Sequence, residues 1–197
     1  PKAQLVIADI PYNSGKDAYA SNPSWYKEGE LEKGQSDKAG KQFFNTDSNF
    51  NIAEYMHFCS KIIKKEPKDT GEAPAMIVFC AFEQMQMIKE YGKKHGFKNS
   101  YPLFFIKNYS PQVLKANMRI VGTTEFAVVL YRDKLPKFNN KGKMIFNWMK
   151  WSKDNSVPNI HPTQKPTPVL KNLIRIFTDE GDEIIDPVAG SGATLKA

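Results

Sequence analysis

Three features of this sequence predict an α/β fold built on a mostly parallel sheet with helices on both faces. The apolar runs are continuous rather than alternating, which marks strands buried on both sides. Segments with helical spacing lie between those runs. The last run opens into a glycine-rich turn, of the kind that follows ligand-binding strands in open sheets. With 197 residues, 41% of them hydrophobic and 25% charged, the chain has the size and balance of one globular domain.

Taken in order, Gln4-Leu5-Val6-Ile7-Ala8 is the first buried strand. Residues 13 to 50 are rich in Gly, Ser, Asn, Asp and Lys without a sustained period, so a long loop is expected there. From Asn51, the positions Ile52, Tyr55, Met56, Cys59, Ile62 and Ile63 follow a helical repeat that Pro67 and Pro74 close off. Ala75 to Cys80 is a second continuous apolar strand, followed by a helix from about Glu83 to Lys94 that stops near Gly96. Leu103–Ile106 and Glu125–Tyr131 read as further strands, and residues 132 to 160 as a basic, irregular stretch. Thr167-Pro168 starts a helix with a capping residue and a proline at its first position, its inner face carrying Leu170, Leu173, Ile174 and Phe177. Glu183-Ile184-Ile185 is the final short strand.

Composition narrows the function classes. No apolar run is long enough to cross a bilayer and no signal peptide is recognisable, so the cytoplasm is the expected compartment. The two cysteines, Cys59 and Cys80, lie in apolar stretches and read as reduced core residues rather than a disulfide or zinc framework. The three histidines form no ligand cluster, and no metal is expected. A net charge of +7 steers a polyanionic partner without identifying one.

Three short strings carry chemistry. Asp9-Ile10-Pro11-Tyr12 ends the first strand on a carboxylate, a proline and an aromatic ring. His161-Pro162-Thr163-Gln164-Lys165-Pro166 holds polar side chains between two prolines that stiffen the backbone. Asp186-Pro187-Val188-Ala189-Gly190-Ser191-Gly192-Ala193-Thr194 follows the last strand, where glycines permit a tight turn and close approach to a ligand. It lacks the Gly-Lys-Ser/Thr ending of a phosphate-binding loop and the third glycine of a dinucleotide fingerprint. Read singly, each string has an ordinary explanation: a turn, a proline-bounded helix entry, a tight strand-to-helix turn.

Together, in this order and over nearly the whole chain, the strings resemble those of the site-specific DNA amino-methyltransferases of bacteria and phages, in the permuted (β) subclass whose catalytic half comes first. Two positions depart from the family pattern: Ile10 stands where its first proline is usual, and Val188 where an aromatic is common. The resemblance implies a Rossmann-like S-adenosylmethionine-dependent methyltransferase fold with circularly permuted motif order. It implies methyl transfer to adenine N6 in double-stranded DNA, within a restriction-modification context. Asp9, Ile10, Pro11 and Tyr12 are then catalytic, with Asp9 and the Ile10 carbonyl accepting the two amino hydrogens and Tyr12 stacking on a flipped base. Stacking uses the ring alone, so Tyr12→Phe is expected to be tolerated. Asp9, His161, Lys165, Asp186, Pro187, Ala189, Gly190, Ser191 and Gly192 are the implied cofactor-binding set, with Lys165 meeting the cofactor's carboxylate. The Asp9 string and the Gly190 turn should end neighbouring strands at one edge of the sheet.

DNA contacts are expected from Lys137, Lys141, Lys143, Trp148 and Trp151 in the 132 to 160 stretch, read as a short target-recognition segment, and from Lys16, Trp25 and Tyr26 in the long loop. The whole of 1–197 reads as a single methyltransferase domain. A helix and an acidic strand normally follow such a cofactor turn, and only five residues follow Gly192, so truncation at the C-terminus is also expected. Three alternatives stay open on the sequence: methylation of cytosine N4, an inactive DNA-binding relative, and an RNA or other amino-bearing substrate.

Overall fold

The structure is a computed structural model that describes residues 2–12, 50–110, 120–152 and 164–197. His161, Lys16, Trp25 and Tyr26 lie outside the described residues. Six strands form one sheet: β1 (Leu5–Asp9), β2 (Ala75–Cys80), β3 (Asn99–Lys107), β4 (Thr124–Tyr131), β5 (Trp148–Trp151) and β6 (Ile184–Ile185). Among the described residues four α-helices accompany them: α1 (Ile52–Ile62), α2 (Met85–Lys94), α3 (Thr167–Phe177) and α4 (Ala193–Lys196). The strand order is β5-β3-β4-β2-β1-β6. β1 pairs in parallel with β2 and β6, and β3 with β5, while β4 runs antiparallel to β2 and β3. The sheet is therefore mostly parallel, as its continuous apolar strands imply.

Burial on both faces explains those runs. Val6 and Ala8 of β1, and Ile10 just after it, enter one core with Tyr55, Met56 and Cys59 of α1 and Ile88 of α2. Leu5 and Ile7 point the other way, into a second core with Leu170, Leu173 and Phe177 of α3. Successive strand side chains face opposite sides, so a strand covered twice must be apolar at every position. Cys59 and Cys80 are free and buried, and burial pushes their thiols up to about 11 and about 12.

Asn51 caps α1, its Oδ1 accepting from the amides of Ala53 at 3.0 Å and Glu54 at 3.3 Å. At α3 the cap falls one residue earlier than the sequence suggests: Pro166 takes that place, and Thr167 is the first helical residue. A proline in the first turn remains tolerated there, because those amides have no partner within the helix.

Two strands differ from the sequence reading. β3 extends back to Asn99 across Pro102, where its neighbour β5 does not reach, and an open edge tolerates a proline. β5 lies inside the stretch read as irregular. Its four residues have too little pattern of their own, and pairing with β3, Phe104 against Trp148 through Lys107 against Trp151, makes them a strand. Among the described residues no helix is long and apolar enough to cross a membrane, and no group of side chains could hold a metal ion.

Candidate active site

β1 and β6 run in parallel side by side, with Leu5 opposite Ile184 and Val6 opposite Ile185. Both strands thus release their following loops at the same edge. The Asp9 string and the Asp186 turn are neighbours, although 177 positions separate the two aspartates in sequence (186 − 9).

Asp9, the last residue of β1, is the centre of the arrangement. One carboxylate oxygen, Oδ2, lies 2.7 Å from Nζ of Lys165. The other, Oδ1, is shielded and has no hydrogen-bond partner among the described residues. A buried acceptor left without a donor costs about 1–3 kcal/mol, so this atom marks a place where a donor belongs. Burial pushes the carboxyl above its ordinary range, and the Lys165 ammonium pulls it back only in part.

Lys165 also donates to the Tyr12 hydroxyl at 3.1 Å and lies over the rings of Tyr12, Phe79 and Trp151 at 5.1, 5.5 and 5.6 Å. Lys165 therefore meets the Asp9 string at the sheet edge. Its ammonium faces Asp9, whereas the resemblance had it facing the cofactor's carboxylate.

Two further groups belong here that no sequence pattern marked. Glu125, near the start of β4, accepts from the Tyr12 hydroxyl at 2.8 Å and forms an ion pair with Lys107 at the end of β3. Burial raises the Glu125 carboxyl, but Lys165 and Lys107 outweigh it and hold the group below its usual range. Asp9 and Glu125 thus face Lys165 and Lys107, two carboxylates against two ammonium groups. Burial and the two carboxylates push the Tyr12 phenol well above its ordinary value, so it stays a proton donor. The hydroxyl is thus held between Lys165 and Glu125. The only sequence sign of Glu125 is a charge opening an otherwise apolar strand.

Behind Tyr12 the backbone is fastened by Gln84, which is buried and donates to the Pro11 carbonyl at 2.9 Å. The glycine turn has its own order. Asp186 Oδ1 accepts from the Val188 amide at 3.1 Å, and Gly192 donates to the Ala189 carbonyl at 2.7 Å. Gly190 and Gly192 take φ values of 51° and 71°, a left-handed region that side-chain-bearing residues rarely adopt. Burial raises the Asp186 carboxyl, against bonds from Thr194 and the Val188 amide. Pro187, Ala189 and Ser191 complete the turn into α4.

The residues expected on a DNA surface divide. Lys141, Lys143 and Trp148 are exposed, and Trp148 stacks on Phe146 at 6.3 Å. Trp151 is buried against Phe79 and Phe105, at 6.4 and 5.7 Å. Lys137 is buried too, with Asp179 at 2.6 Å and Asp182 and Glu72 each at 3.3 Å. Neither Lys137 nor Trp151 is presented to an outside partner in this conformation.

Known proteins share this frame. The family described as DNA methylase matches residues 3–197. The type II methyltransferase M.HpaI of Haemophilus parainfluenzae is 22% identical over 95% of the chain, which spans 58% of that protein's length. Among solved structures, a complex of M1.HpyAVI with SAM superposes with a TM-score of 0.64 at 20% identity, over 98% of this chain and 74% of that one. The cytosine-N4-specific PvuII DNA methyltransferase gives 0.67 at 14% identity, over 98% and 70%. With nearly every residue matched to the family and the same fold in these structures, this chain belongs to the N6/N4 DNA methylase family.

Proposed function

We propose that this chain transfers a methyl group from S-adenosylmethionine to the N6 amino group of adenine in double-stranded DNA. The observation that carries the reading is the Asp9 carboxylate, clamped by Lys165 through one oxygen and unpartnered among the described residues at the other, at a strand end beside the glycine turn. S-adenosylmethionine fits that turn, because left-handed glycines let the backbone approach a ligand closely and Asp186 offers a half-buried carboxylate acceptor. Asp186, Pro187, Ala189, Gly190, Ser191 and Gly192 would hold its methionine part, and the bound cofactor supplies an electrophilic methyl group.

The chain's own residues do the rest. Adenine's amino nitrogen is a poor nucleophile because its lone pair is delocalised into the ring. Asp9 Oδ1 accepts one amino hydrogen and the Ile10 carbonyl the other, which favours a pyramidal nitrogen and meets the positive charge that grows on it. Tyr12 stacks on the flipped base. Lys165 acts as the counter-ion of Asp9 and, with the Glu125 that Lys107 pairs, fixes the Tyr12 hydroxyl.

Lys141, Lys143 and Trp148 are exposed members of a target-recognition segment spanning 132–160, a reading supported by the net charge of +7. The cytosine-N4-specific neighbour has the same fold, so the fold does not select the base. The choice of adenine rests on Asp9, since an aspartate in this string goes mostly with adenine in the family. The cytoplasm of a bacterial or phage-infected cell is the setting such a reaction implies.

The test is to treat unmethylated DNA with the protein and cofactor, digest to nucleosides and weigh them by mass spectrometry. N6-methyladenine is the expected product. N4-methylcytosine without N6-methyladenine contradicts the base assignment, and no methylated nucleoside contradicts the activity.

A further inference from the structure

The pairing of β1 with β2 breaks off at an informative place. Asp9 is opposite Phe79, so Ile10 is opposite Cys80 in the same register. In a parallel ladder Ile10 then bonds twice: its amide to the Phe79 carbonyl, and its carbonyl to the Ala81 amide. The first bond is present at 3.3 Å. The second is not made, and β1 ends at Asp9. The Ala81 amide donates instead to Oε1 of Gln84 at 2.9 Å. Nε2 of the same side chain donates to the Pro11 carbonyl at 2.9 Å.

We infer that Gln84 is a positioning residue that draws the Ala81 amide off the β1–β2 ladder and so keeps the Ile10 carbonyl free to accept from the target amino group. This rests on the proposed amino-methyltransferase reading and adds to it the device that prepares the second acceptor. Gln84 starts its work as a helix cap, since Ala81 precedes a 3₁₀ turn over Phe82–Gln84. Capping accounts for the bond to Ala81 but not for the one to Pro11, which ties the cap to the catalytic string. The amide group is needed at both ends: the oxygen holds Ala81 away from Ile10, and the nitrogen holds Pro11 so that Ile10 keeps its orientation. At 8% exposure Gln84 has little other use for two hydrogen bonds. Any buried side chain of similar volume would fill the space, but only one with an oxygen at that place stops the ladder from closing.

The test uses isotope-labelled full-length protein and two variants. Gln84→Met keeps the volume and removes the acceptor; Gln84→Glu keeps an acceptor for Ala81 and loses the donor to Pro11. Through-hydrogen-bond NMR coupling between the Ala81 nitrogen and the Ile10 carbonyl carbon should be absent in the wild type and in Gln84→Glu, and present in Gln84→Met. Gln84→Met should lower kcat about tenfold, the worth of one hydrogen bond, with KM for DNA and cofactor within about twofold. Gln84→Glu should recover part of that loss. The inference is overturned by the coupling in wild-type protein, by equal impairment of both variants, or by full activity of Gln84→Met where Asp9→Ala is inactive. Full methylation by Asp9→Ala would instead overturn the active-site reading itself, and this inference with it.

Discussion

Lys165 and Lys137 make a useful pair. Both are buried, at 8% and 9% exposure, and both face carboxylates. Around Lys137 every requirement is met within the fold. Asp179 and Glu72 keep more than half of their side chains in water, and Asp182 also receives Lys64 and the Asp179 amide, each at 2.9 Å. Asn139 occupies the remaining Asp179 oxygen at 2.8 Å. That cluster fastens the segment after α3 and asks for nothing from outside. Lys165 instead leaves one oxygen of its main partner, Asp9, without a donor among the described residues. A buried ion pair is thus no sign of a site in itself; an unfinished one at the carboxyl edge of a parallel sheet is.

The comparison breaks most sharply at Lys165. Lys165→Met leaves Asp9 and Glu125 buried without their shared cation, and removing one partner from such a cluster costs about 3–5 kcal/mol. Denaturant unfolding should show that loss together with a severe fall in kcat. Unchanged stability would mean that the Asp9–Lys165 contact is not a buried pair.

Tyr12→Phe comes next in size. It removes a hydroxyl held between Lys165 and Glu125 while keeping the ring, and bonds to charged groups are worth enough to lower kcat/KM about tenfold. Steady-state kinetics on unmethylated DNA fragments would measure it. A tolerated substitution would restore the view that only stacking matters.

A smaller effect concerns pH. Asp9 must be ionised to act as an acceptor, and burial raises its carboxyl against the pull of Lys165. Activity should therefore fall with decreasing pH at a value above the ordinary aspartate range of about 3.9. In any Lys165→Met protein that retains measurable turnover, this acid limb should move higher still, because the lowering influence is gone. A limb at the ordinary value, unmoved by the substitution, would count against ionised Asp9 as the acceptor. The smallest catalytic effect belongs to the other lysine. Lys137→Met should lower Tm by a few degrees, roughly what loss of a partly exposed ion cluster implies for a chain of this size, while kcat stays within about twofold.

Much of this arrangement was legible in the residues. Strands buried on two faces must be apolar throughout, so β1, β2 and β4 announced themselves, and the Asp9 string, Lys165 and the glycine turn stood out because prolines and glycines fix backbone shape. What the sequence concealed is what only pairing creates. Trp148–Trp151 became a strand because β3 offers it an edge. Glu125 and Lys107 joined the site because β3 and β4 run antiparallel and bring their ends beside Tyr12. Charge alone could not separate Lys137 from Lys141, since exposure depends on the acids that the fold gathers around each.

The central claim is that the free oxygen of Asp9 receives the target amino group. Its most direct test is a crystal structure of the protein with duplex DNA and a non-reactive analogue of S-adenosylmethionine. The account predicts an adenine turned out of the helix, its amino nitrogen about 2.7–3.2 Å from both Asp9 Oδ1 and the Ile10 carbonyl, with Lys165 still on Asp9 Oδ2. A flipped base whose amino group lies away from Asp9, or a Lys165 drawn off Asp9 onto the cofactor analogue, would contradict it.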